Sequence, residues 1–497
     1  MTSPKDAEAL ACGSHVSGPG FSLVVAMLVS LTTFGCVRFH PEPLSPALNA
    51  AVLEGRNLDD PYLRRFLQAS LAPDREMAGD ARWDLERLTL AALYFHPDLA
   101  IWRAKLAAAR ADIVTARQRP NPTVSIGAAF NAAAVAGALP PGALPLTVGP
   151  VVNFLVETFG KREDRTAQAQ HLEKAARADL ATAAWQLRGR VRTALLNLWA
   201  SRKRLELARQ QVVLRQQLVS LLEQRLGAGF ATTLDLTRER IALTQATLGI
   251  QDVDRVRADA RVQLATAIGI PVSALNSVQL SDDLFDHPAV PGRNLASGAL
   301  RHLALNERSD VQASLAQYEA TQSALQLGVA GQYPNVILGP GYNYDVGFNR
   351  FFLSPTFDLP IFNQNQGQIA RAIADRQQAT ASFTALQAQI IGAVDTAAVA
   401  YRATAQTLQT ADVVVANEQA RQRQVRASFM TGETDRPTLV AGELELAVTR
   451  SAQFDAIFQQ RQSLGALEDA LQQPFFDPRA ARFVLSAGPR TTTEPRP

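Results

Sequence analysis

Proline is absent from very long stretches of this chain, and that absence constrains the fold more than any other feature. No proline occurs from Lys161 to Ile270, and Pro437 alone interrupts residues 363–473. Both stretches are rich in Ala, Leu, Gln and Arg, the composition of long helices. A helix from Lys161 to Leu226 would be about 100 Å long at ~1.5 Å per residue. The sequence therefore predicts a tunnel or a stalk, because globular domains rarely contain such a helix.

Apolar residues in the first stretch follow a coiled-coil pattern. They recur at alternating spacings of four and three, interrupted at Ser201 and Arg215. This spacing places them on one helix face, as in a coiled-coil seam. The seam comprises Leu180, Ala184, Leu187, Val191, Ala194, Leu198, Leu205, Ala208, Val212, Val219 and Leu222.

The chain also repeats itself, which favours one duplicated unit over several unrelated domains. The landmarks that match at an offset of 203 are Gly160 and Asn363, Gly229 and Gly432, and Pro271 and Pro474. Upstream the offset is 214, between Pro120 and Pro334. The first half therefore contains additional residues, which fall in the Pro-rich stretch from Gly137 to Leu146. We interpret that stretch as a long loop.

Each half contains two segments in which side chains alternate with a period of two. Phe351, Leu353, Pro355, Phe357 and Leu359 alternate with Phe352, Ser354, Thr356 and Asp358, and residues 148–156 show the same pattern. The earlier partners are Thr123–Ala132 and Val336–Asp345. Alternation over about 10 residues is typical of membrane-spanning strands with one face to lipid and one to a lumen.

Four strands cannot close a barrel, and open strand edges do not occur in lipid. Three subunits would supply 12 strands, enough to enclose a passage. The predicted fold class is therefore mainly α with a shared β-barrel. It is built from duplicated helix–strand–strand–helix repeats with long coiled-coil helices.

The N-terminus has the features of an export signal. Phe21–Gly35 is an apolar run too short to span a membrane and suited to a signal peptide. It ends at Thr33-Phe34-Gly35-Cys36, which resembles a bacterial lipobox with Thr where Leu is usual. We expect residues 1–35 to be removed and Cys36 to be lipidated; the alternative is an ordinary cleaved signal followed by an incidental cysteine. No second cysteine would remain for an internal disulfide.

Three segments, together with their echoes in the second half, resemble the TolC family of outer-membrane efflux proteins over about residues 84–475. They are HPDLAIWRAKLAAARADIVTARQRPNP (His96–Pro122), ETFGKRED (Glu157–Asp164) and RLGAGFATTLDLTRERIAL (Arg225–Leu243). The resemblance implies a homotrimer whose barrel crosses the outer membrane and whose helices form a tunnel through the periplasm. ETFGKR is also similar to the ETPGKR form of the cobalt–zinc–cadmium efflux branch, with Phe159 in place of Pro.

The resemblance further implies that two helical tips, Gly227–Asp235 and Thr431–Leu439, contact a periplasmic adaptor (membrane fusion) protein. The adaptor would connect the channel to an inner-membrane pump of the resistance-nodulation-division type. The expected contact residues are Gly229, Phe230, Ala231, Thr232, Thr233, Asp235, Gly432, Glu433, Thr434 and Asp435. Gly229 and Gly432 have an alternative structural role, because a helix C-cap requires positive φ.

These observations predict six segments along the chain. Residues 1–35 form the signal peptide and residues 36–83 an N-terminal periplasmic segment. The two outer-membrane efflux repeats cover residues 84–271 and 301–474, joined by a linker at 272–300. Residues 475–497 lack periodicity and are predicted to be a flexible tail.

Other functional classes receive little support from the sequence. The net charge of +3 is dispersed along the chain, which argues against nucleic acid binding. The six histidines show no metal-ligand spacing, and neither a nucleophile triad nor a phosphate-binding loop stands out. We therefore expect a passive efflux conduit for toxic compounds or heavy-metal cations, without enzymatic activity, metal or cofactor. The alternatives are an exit duct for protein secretion and a structural periplasmic coiled-coil protein.

Overall fold

The structure is a computed structural model, and it describes residues 39–71, 82–130, 146–287, 297–345 and 348–474. The predicted signal peptide, Cys36 and the predicted tail lie outside these ranges, as does the predicted loop up to residue 145. Two compact units comprise residues 1–52 and 53–497. The first unit is described from residue 39 and contains most of helix α1 (Pro46–Glu54), in which no side chain is buried.

The second unit contains the duplication. It opens with α2 (Pro61–Ser70). The first half then comprises α3 (Leu85–Phe95), α4 (Pro97–Arg117), β1 (Thr123–Phe130), β2 (Leu146–Val156), α5 (Lys161–Gly227) and α6 (Thr233–Ile268). After a single-turn helix α7 (Asp283–Asp286), the second half comprises α8 (Ser297–Glu307), α9 (Ser309–Ala330), β3 (Val336–Asp345), β4 (Phe348–Phe357), α10 (Gln366–Met430) and α11 (Arg436–Leu471).

The order of elements is identical in the two halves, but one predicted correspondence is wrong. Gly160 directly precedes α5 in the left-handed conformation (φ 73°), and the residue that directly precedes α10 in that conformation is Asn365 (φ 63°), not Asn363. The residue types fit, because Gly and Asn adopt positive φ most readily. The offset returns to 203 at Gly229 and Gly432, since α10 has 65 residues and α5 has 67.

The prediction of very long helices is confirmed. Helix α5 extends to Gly227, one residue beyond the predicted Leu226. Along its seam the side chains of Leu205, Val212 and Val219 are buried at intervals of seven residues, and so is the interrupting Ser201. The other interruption, Arg215, donates to Glu239 of α6 at 2.7 Å. The seam therefore accepts a polar residue where a partner is available on the antiparallel neighbour.

Two apolar clusters anchor the long helices at their middle. The first joins α2–α4 to the centre of α5 and the end of α6, around fully buried residues such as Leu88, Leu187 and Leu264. The second joins α8 and α9 to the centre of α10 and the end of α11, around Val394 and Leu467. Each fully buried Leu or Val contributes roughly 1.5–3 kcal/mol. The helices are thus fixed in these two regions.

The four strands form one antiparallel sheet in the order β1-β2-β3-β4. The registers place the alternating apolar residues of all four strands on the same face. That face contains Val124, Ile126, Ala128, Phe130, Val148, Pro150, Val152, Phe154, Val156, Val336, Leu338, Pro340, Tyr342, Tyr344, Asn349, Phe351, Leu353, Pro355 and Phe357. The alternation that was expected to continue to Leu359 ends with β4 at Phe357.

The opposite face of the sheet is more polar and contains small residues. Ser125, Asn153 and Thr356 lie on it, and Asn153 Nδ2 donates to Ser125 Oγ at 3.4 Å. Gly149 and Gly341 also lie here. A Cβ at Gly149 would lie 2.3 Å from the Tyr342 carbonyl oxygen, and one at Gly341 would lie 2.5 Å from the Phe352 ring. Gly149 therefore permits close approach of the neighbouring strand, and Gly341 leaves room for the Phe352 ring.

Candidate functional site

The two helix reversals at the predicted tips have the same backbone construction. The first occupies residues 228–232 between α5 and α6, and the second occupies residues 431–435 between α10 and α11. In the first, Phe230 N donates to Arg225 O at 2.8 Å and Gly229 N donates to Leu226 O at 3.1 Å. In the second, Glu433 N and Gly432 N make the equivalent bonds at 2.8 and 3.1 Å. Both are Schellman C-caps, which satisfy the last carbonyl groups of each long helix.

The structural role of the two tip glycines is confirmed. Gly229 has φ 78° and Gly432 has φ 81°. A Cβ added to either would meet nothing within 4 Å. A lack of space therefore does not explain why glycine occupies these positions. Glycine is favoured because it adopts the left-handed backbone conformation without strain. Gly227 does not share this role, since it is the last residue of α5.

Each helix that leaves a tip begins with a Thr–Asp pair that caps its start, and in the first helix the cap is reciprocal. Thr232 caps α6: Asp235 N donates to Thr232 Oγ1 at 3.1 Å, and Thr232 N donates to Asp235 Oδ2 at 3.3 Å. At the equivalent positions of the second turn the residue types are exchanged. There Thr438 N donates to Asp435 Oδ1 at 3.0 Å, and Thr438 Oγ1 donates to the same oxygen at 2.6 Å. Each pair satisfies N-terminal amides of its helix.

Because of these caps, the side chains of the predicted tip residues are not equally free to contact a partner protein. Among the expected contact residues, Thr232, Asp235 and Asp435 have side chains that are bonded to the backbone of their own helix start. The first predicted tip included the first turn of α6. A side-chain acceptor at the third position of a helix can bond the backbone amide groups that have no partner at the helix start. Thr233 is exposed, and Ala231 and Thr434 are half-buried.

Exposed apolar side chains lie at the two turns. Phe230 is 76% exposed, and it is joined by exposed Met430 at the end of α10 and exposed Leu234 in the first turn of α6. Glu433 is also exposed. Neither Met430 nor Leu234 was among the contact residues expected from the sequence, although Leu234 lies within the predicted tip Gly227–Asp235. Their position in the sequence could have indicated that they are exposed, because an apolar residue directly beside a helix reversal has no neighbouring helix to pack against on that side.

An ion pair links the two turns. Arg225 Nη1 lies 2.5 Å from Asp435 Oδ2, which places the end of α5 beside the start of α11. The hydrogen bond from Thr438 lowers the pKa of Asp435 below its ordinary value, and the positive charge of Arg225 lowers it further. Arg225 was not predicted as a tip residue, because its partner is more than 200 positions away in the sequence.

The turn before α5 has an unusual conformation where the sequence departs from the family pattern. Phe159 has φ 56°, and its ring stacks on Tyr333 with 3.9 Å between ring centroids. Proline, with φ fixed near −65°, cannot adopt this conformation. The turn built here around Phe159 is therefore incompatible with the ETPGKR form.

The described part of the chain contains no cluster of three or more His, Cys, Asp or Glu side chains that could hold a metal ion. Cys36, the predicted lipid attachment site, lies outside the described residues.

Comparisons with known proteins agree with this architecture. The sequence pattern of the family described as outer membrane efflux protein matches residues 90–270. Pyoverdine export outer membrane protein OpmQ of Pseudomonas putida is 28% identical over 226 residues, which is 44% of this chain and 47% of OpmQ. Cobalt-zinc-cadmium resistance protein CzcC of Cupriavidus metallidurans is 25% identical over 236 residues, which is 47% of this chain and 55% of CzcC. The chain thus spans about half the length of these two relatives.

Outer membrane protein OprJ of Pseudomonas aeruginosa aligns over a longer range. It is 27% identical over 444 residues, covering 81% of this chain and 83% of OprJ. Among solved structures, the outer-membrane channel OprN has a TM-score of 0.62 at 19% identity, covering 90% of this chain and 100% of OprN. The structure of CusC has a TM-score of 0.62 at 17% identity, covering 87% and 98%. At these identities the two structures establish a common fold.

Proposed function

We propose that this chain, which belongs to the TolC-like family of outer membrane efflux proteins, is the outer-membrane channel subunit of a tripartite efflux system. The observation that carries the proposal is the continuous apolar face across all four strands, backed by a more polar face with small residues. A soluble protein would bury such a face against its core, whereas here apolar side chains such as Ile126, Phe351 and Leu353 are exposed. In a membrane the apolar face would contact lipid and the other face would line the passage.

The sheet also supports a trimer. Its order leaves β1 and β4 as edges, and an unpaired edge in lipid costs several kcal/mol for each unsatisfied backbone group. Pairing of β4 with β1 of a neighbouring subunit removes both edges, and three copies give 12 strands.

The helices support association as well. Within α10 an 18-residue stretch has a mean hydropathy of 1.2 but is only 22% buried. In a single chain, therefore, most of this apolar surface has no partner. We propose that a second copy of the chain covers it where the helices of the three subunits form the tunnel wall.

The two turns are the proposed contact surface for a periplasmic adaptor protein, and through it for an inner-membrane pump of the resistance-nodulation-division type. The exposed side chains of Phe230, Met430 and Leu234 offer apolar contact, and Glu433 offers a charge. The cap residues hold the turns in shape. Cys36 is proposed to add a lipid anchor in the outer membrane.

The residues of this chain do not identify the exported substrate. CzcC is named for cobalt–zinc–cadmium resistance and OpmQ for pyoverdine export. We propose a passive conduit for toxic compounds or heavy-metal cations, with cargo selection by the pump.

The proposal is tested by changing the exposed tip residues and measuring export and assembly in the same cells. Phe230→Asn and Glu433→Lys should reduce resistance to an exported toxin and reduce crosslinking to the adaptor, while trimer abundance stays constant. The reason is that both side chains are exposed and neither is a helix cap.

Matched controls are available on the same helices. Leu248→Asn replaces an exposed apolar residue of α6 about 22 Å along the helix from Thr233, and Glu206→Lys reverses an exposed charge on α5. Both should leave resistance unchanged. Undiminished resistance and crosslinking in the Phe230 and Glu433 variants would exclude the turns as the docking surface. Loss of trimer in those variants would show a structural role instead.

A further inference from the structure

A basic cavity lies away from the sheet and the turns, between α5, α6 and the segment that follows α6. Its volume is about 540 Å³. Four arginines line it, namely Arg82, Arg202, Arg257 and Arg261. Among the described residues, those that line the cavity include no carboxylate. A cavity of this size is within the range of small-molecule sites, which is roughly 300–1,000 Å³.

The fold fixes the walls of this cavity. Arg257 and Arg261 are one turn apart on α6 and therefore lie on the same helix face. Opposite them, α5 contributes Arg202. The segment after α6 contributes Val278, Gln279 and Leu280. It is held by main-chain bonds: Trp83 N donates to Gln279 O at 2.7 Å, and Ser281 N donates to Trp83 O at 2.9 Å. This isolated parallel bridge fixes the segment beside Trp83.

The arginines of α5 and α6 retain capacity for an anion, although Arg257 Nη2 lies 3.0 Å from Asp254 Oδ1 of the same helix. Arg202 Nη2 donates to Asp282 Oδ1 at 2.6 Å, but its Nε is buried without a hydrogen-bond partner. Arg261 Nη2 donates to Asn276 Oδ1 at 2.5 Å, which is a neutral acceptor. Each guanidinium group has five N–H donors, so these bonds leave donors on both arginines for a ligand.

The floor of the cavity is apolar. Leu198 and Leu275 line it and are buried at 5% and 4% exposure, and Val278 lies beside them. A ligand with an anionic group and a hydrocarbon part would satisfy both surfaces.

We propose that this cavity binds a small amphipathic anion. Its carboxylate or phosphate group contacts the guanidinium groups of Arg202, Arg257 and Arg261, and its short hydrocarbon chain lies on Leu198 and Leu275. The planar guanidinium group matches both kinds of oxyanion with paired hydrogen bonds. This site is independent of the proposed conduit, because neither the sheet nor the turns contribute to it.

The test uses the full-length protein in nanodiscs of zwitterionic phosphatidylcholine and isothermal titration, with the signal of empty nanodiscs subtracted. The probes are octanoate, octyl phosphate, octanol and inorganic phosphate. At least one of the two amphipathic anions should bind at one site per chain, and the tighter one identifies the head group. Octanol and inorganic phosphate should each bind at least tenfold more weakly than that anion, since each lacks one part of the ligand.

Two variants test the location of the site by different means. Arg257→Gln removes a partly exposed charge and should weaken binding of the anionic probe at least tenfold. Ala258→Phe fills the cavity from an exposed position with every charge kept, and should abolish binding. Arg209→Gln, at an exposed position of α5 outside the cavity, should leave affinity unchanged.

The proposal is overturned if the wild-type protein binds neither amphipathic anion at millimolar concentration, or if octanol binds as tightly as the anions. It is equally overturned if the Arg257 and Ala258 variants keep wild-type affinity. Thermal unfolding of each variant verifies that any loss of binding occurs in folded protein.

Discussion

The buried ion cluster between the two halves provides a sharp test of what holds them together. Arg192 Nη1 of α5 donates to Glu468 Oε2 of α11 at 2.8 Å, and Arg188 Nη1 lies 3.4 Å from the same oxygen. The Glu468 side chain is 0% exposed. Arg192 Nη2 also donates to Asp469 Oδ2 at 2.7 Å. Gly465 provides the space, because a Cβ there would lie 2.6 Å from Arg192 Cζ.

Neutralising Glu468 should be costly. Burial lowers the pKa of Arg188 and the charge of Glu468 opposes that effect, so the carboxylate stabilises two buried guanidinium groups. Removing one partner of a buried ion pair typically costs ~3–5 kcal/mol, because the remaining charge is left uncompensated. We expect Glu468→Gln to lower the free energy of unfolding by about 3 kcal/mol, near the lower limit, since the amide oxygen still accepts a hydrogen bond.

The assay is guanidinium chloride unfolding of detergent-solubilised protein, followed by tryptophan fluorescence. Trp185 is a local reporter, since its ring centroid is 4.9 Å from Arg188 Cζ. Asp455→Asn is the matched control: Asp455 joins the same two helices through Arg204 at 2.9 Å, but its side chain is 54% exposed. The control should cost less than 1 kcal/mol, in the ~0–1 kcal/mol range of exposed pairs. If Glu468→Gln costs no more than the control, the reasoning is refuted.

Further predictions concern the strands, the tips and the N-terminus. Leu353→Arg, at the middle of β4 on the apolar face, should impair trimer assembly by ~2–4 kcal/mol per chain. Ser354→Arg, on the opposite face, should not impair assembly. Phe357→Asp, at the end of the strand, should have a smaller effect than Leu353→Arg. Equal trimer yields from the Leu353 and Ser354 variants would contradict the assignment of the faces. The hydrogen bonds from Thr438 and the charge of Arg225 lower the pKa of Asp435. The stabilisation of the folded turns by its ionised carboxylate is therefore complete above the ordinary Asp pKa of about 4, and it is lost only as pH falls through the depressed pKa. Spin-label distances between the two turns should therefore be constant from pH 8 to 5, and a change in that range would contradict the role of the Arg225–Asp435 ion pair. Cys36→Ser should yield a mature chain without acyl mass; an unmodified Cys36 in mature wild-type protein would exclude lipidation.

Local patterns in the sequence were sufficient to predict the elements themselves. Helix length follows from the absence of proline and from the seam spacing, and α5 ends within one residue of the predicted position. The strand from Val336 to Asp345 has the predicted bounds. Gly229 and Gly432 mark the reversals, because a Schellman cap needs positive φ and glycine adopts it without strain. Each of these features depends on interactions within a few residues of the chain.

Contacts between distant residues were decided only by the tertiary structure. The pairing of Arg192 with Glu468 joins residues of different halves, and no spacing in the sequence records it. The same is true of Arg225 and Asp435. At the tips, no sequence pattern distinguished Asp435 from Glu433, but only Asp435 is the N-cap of a helix, so its carboxylate is used as a cap while the Glu433 side chain stays exposed. Sequence patterns thus determined which segments form long helices and strands and where the helices reverse. Whether each side chain is free to contact a partner depended on which elements the fold brought beside it.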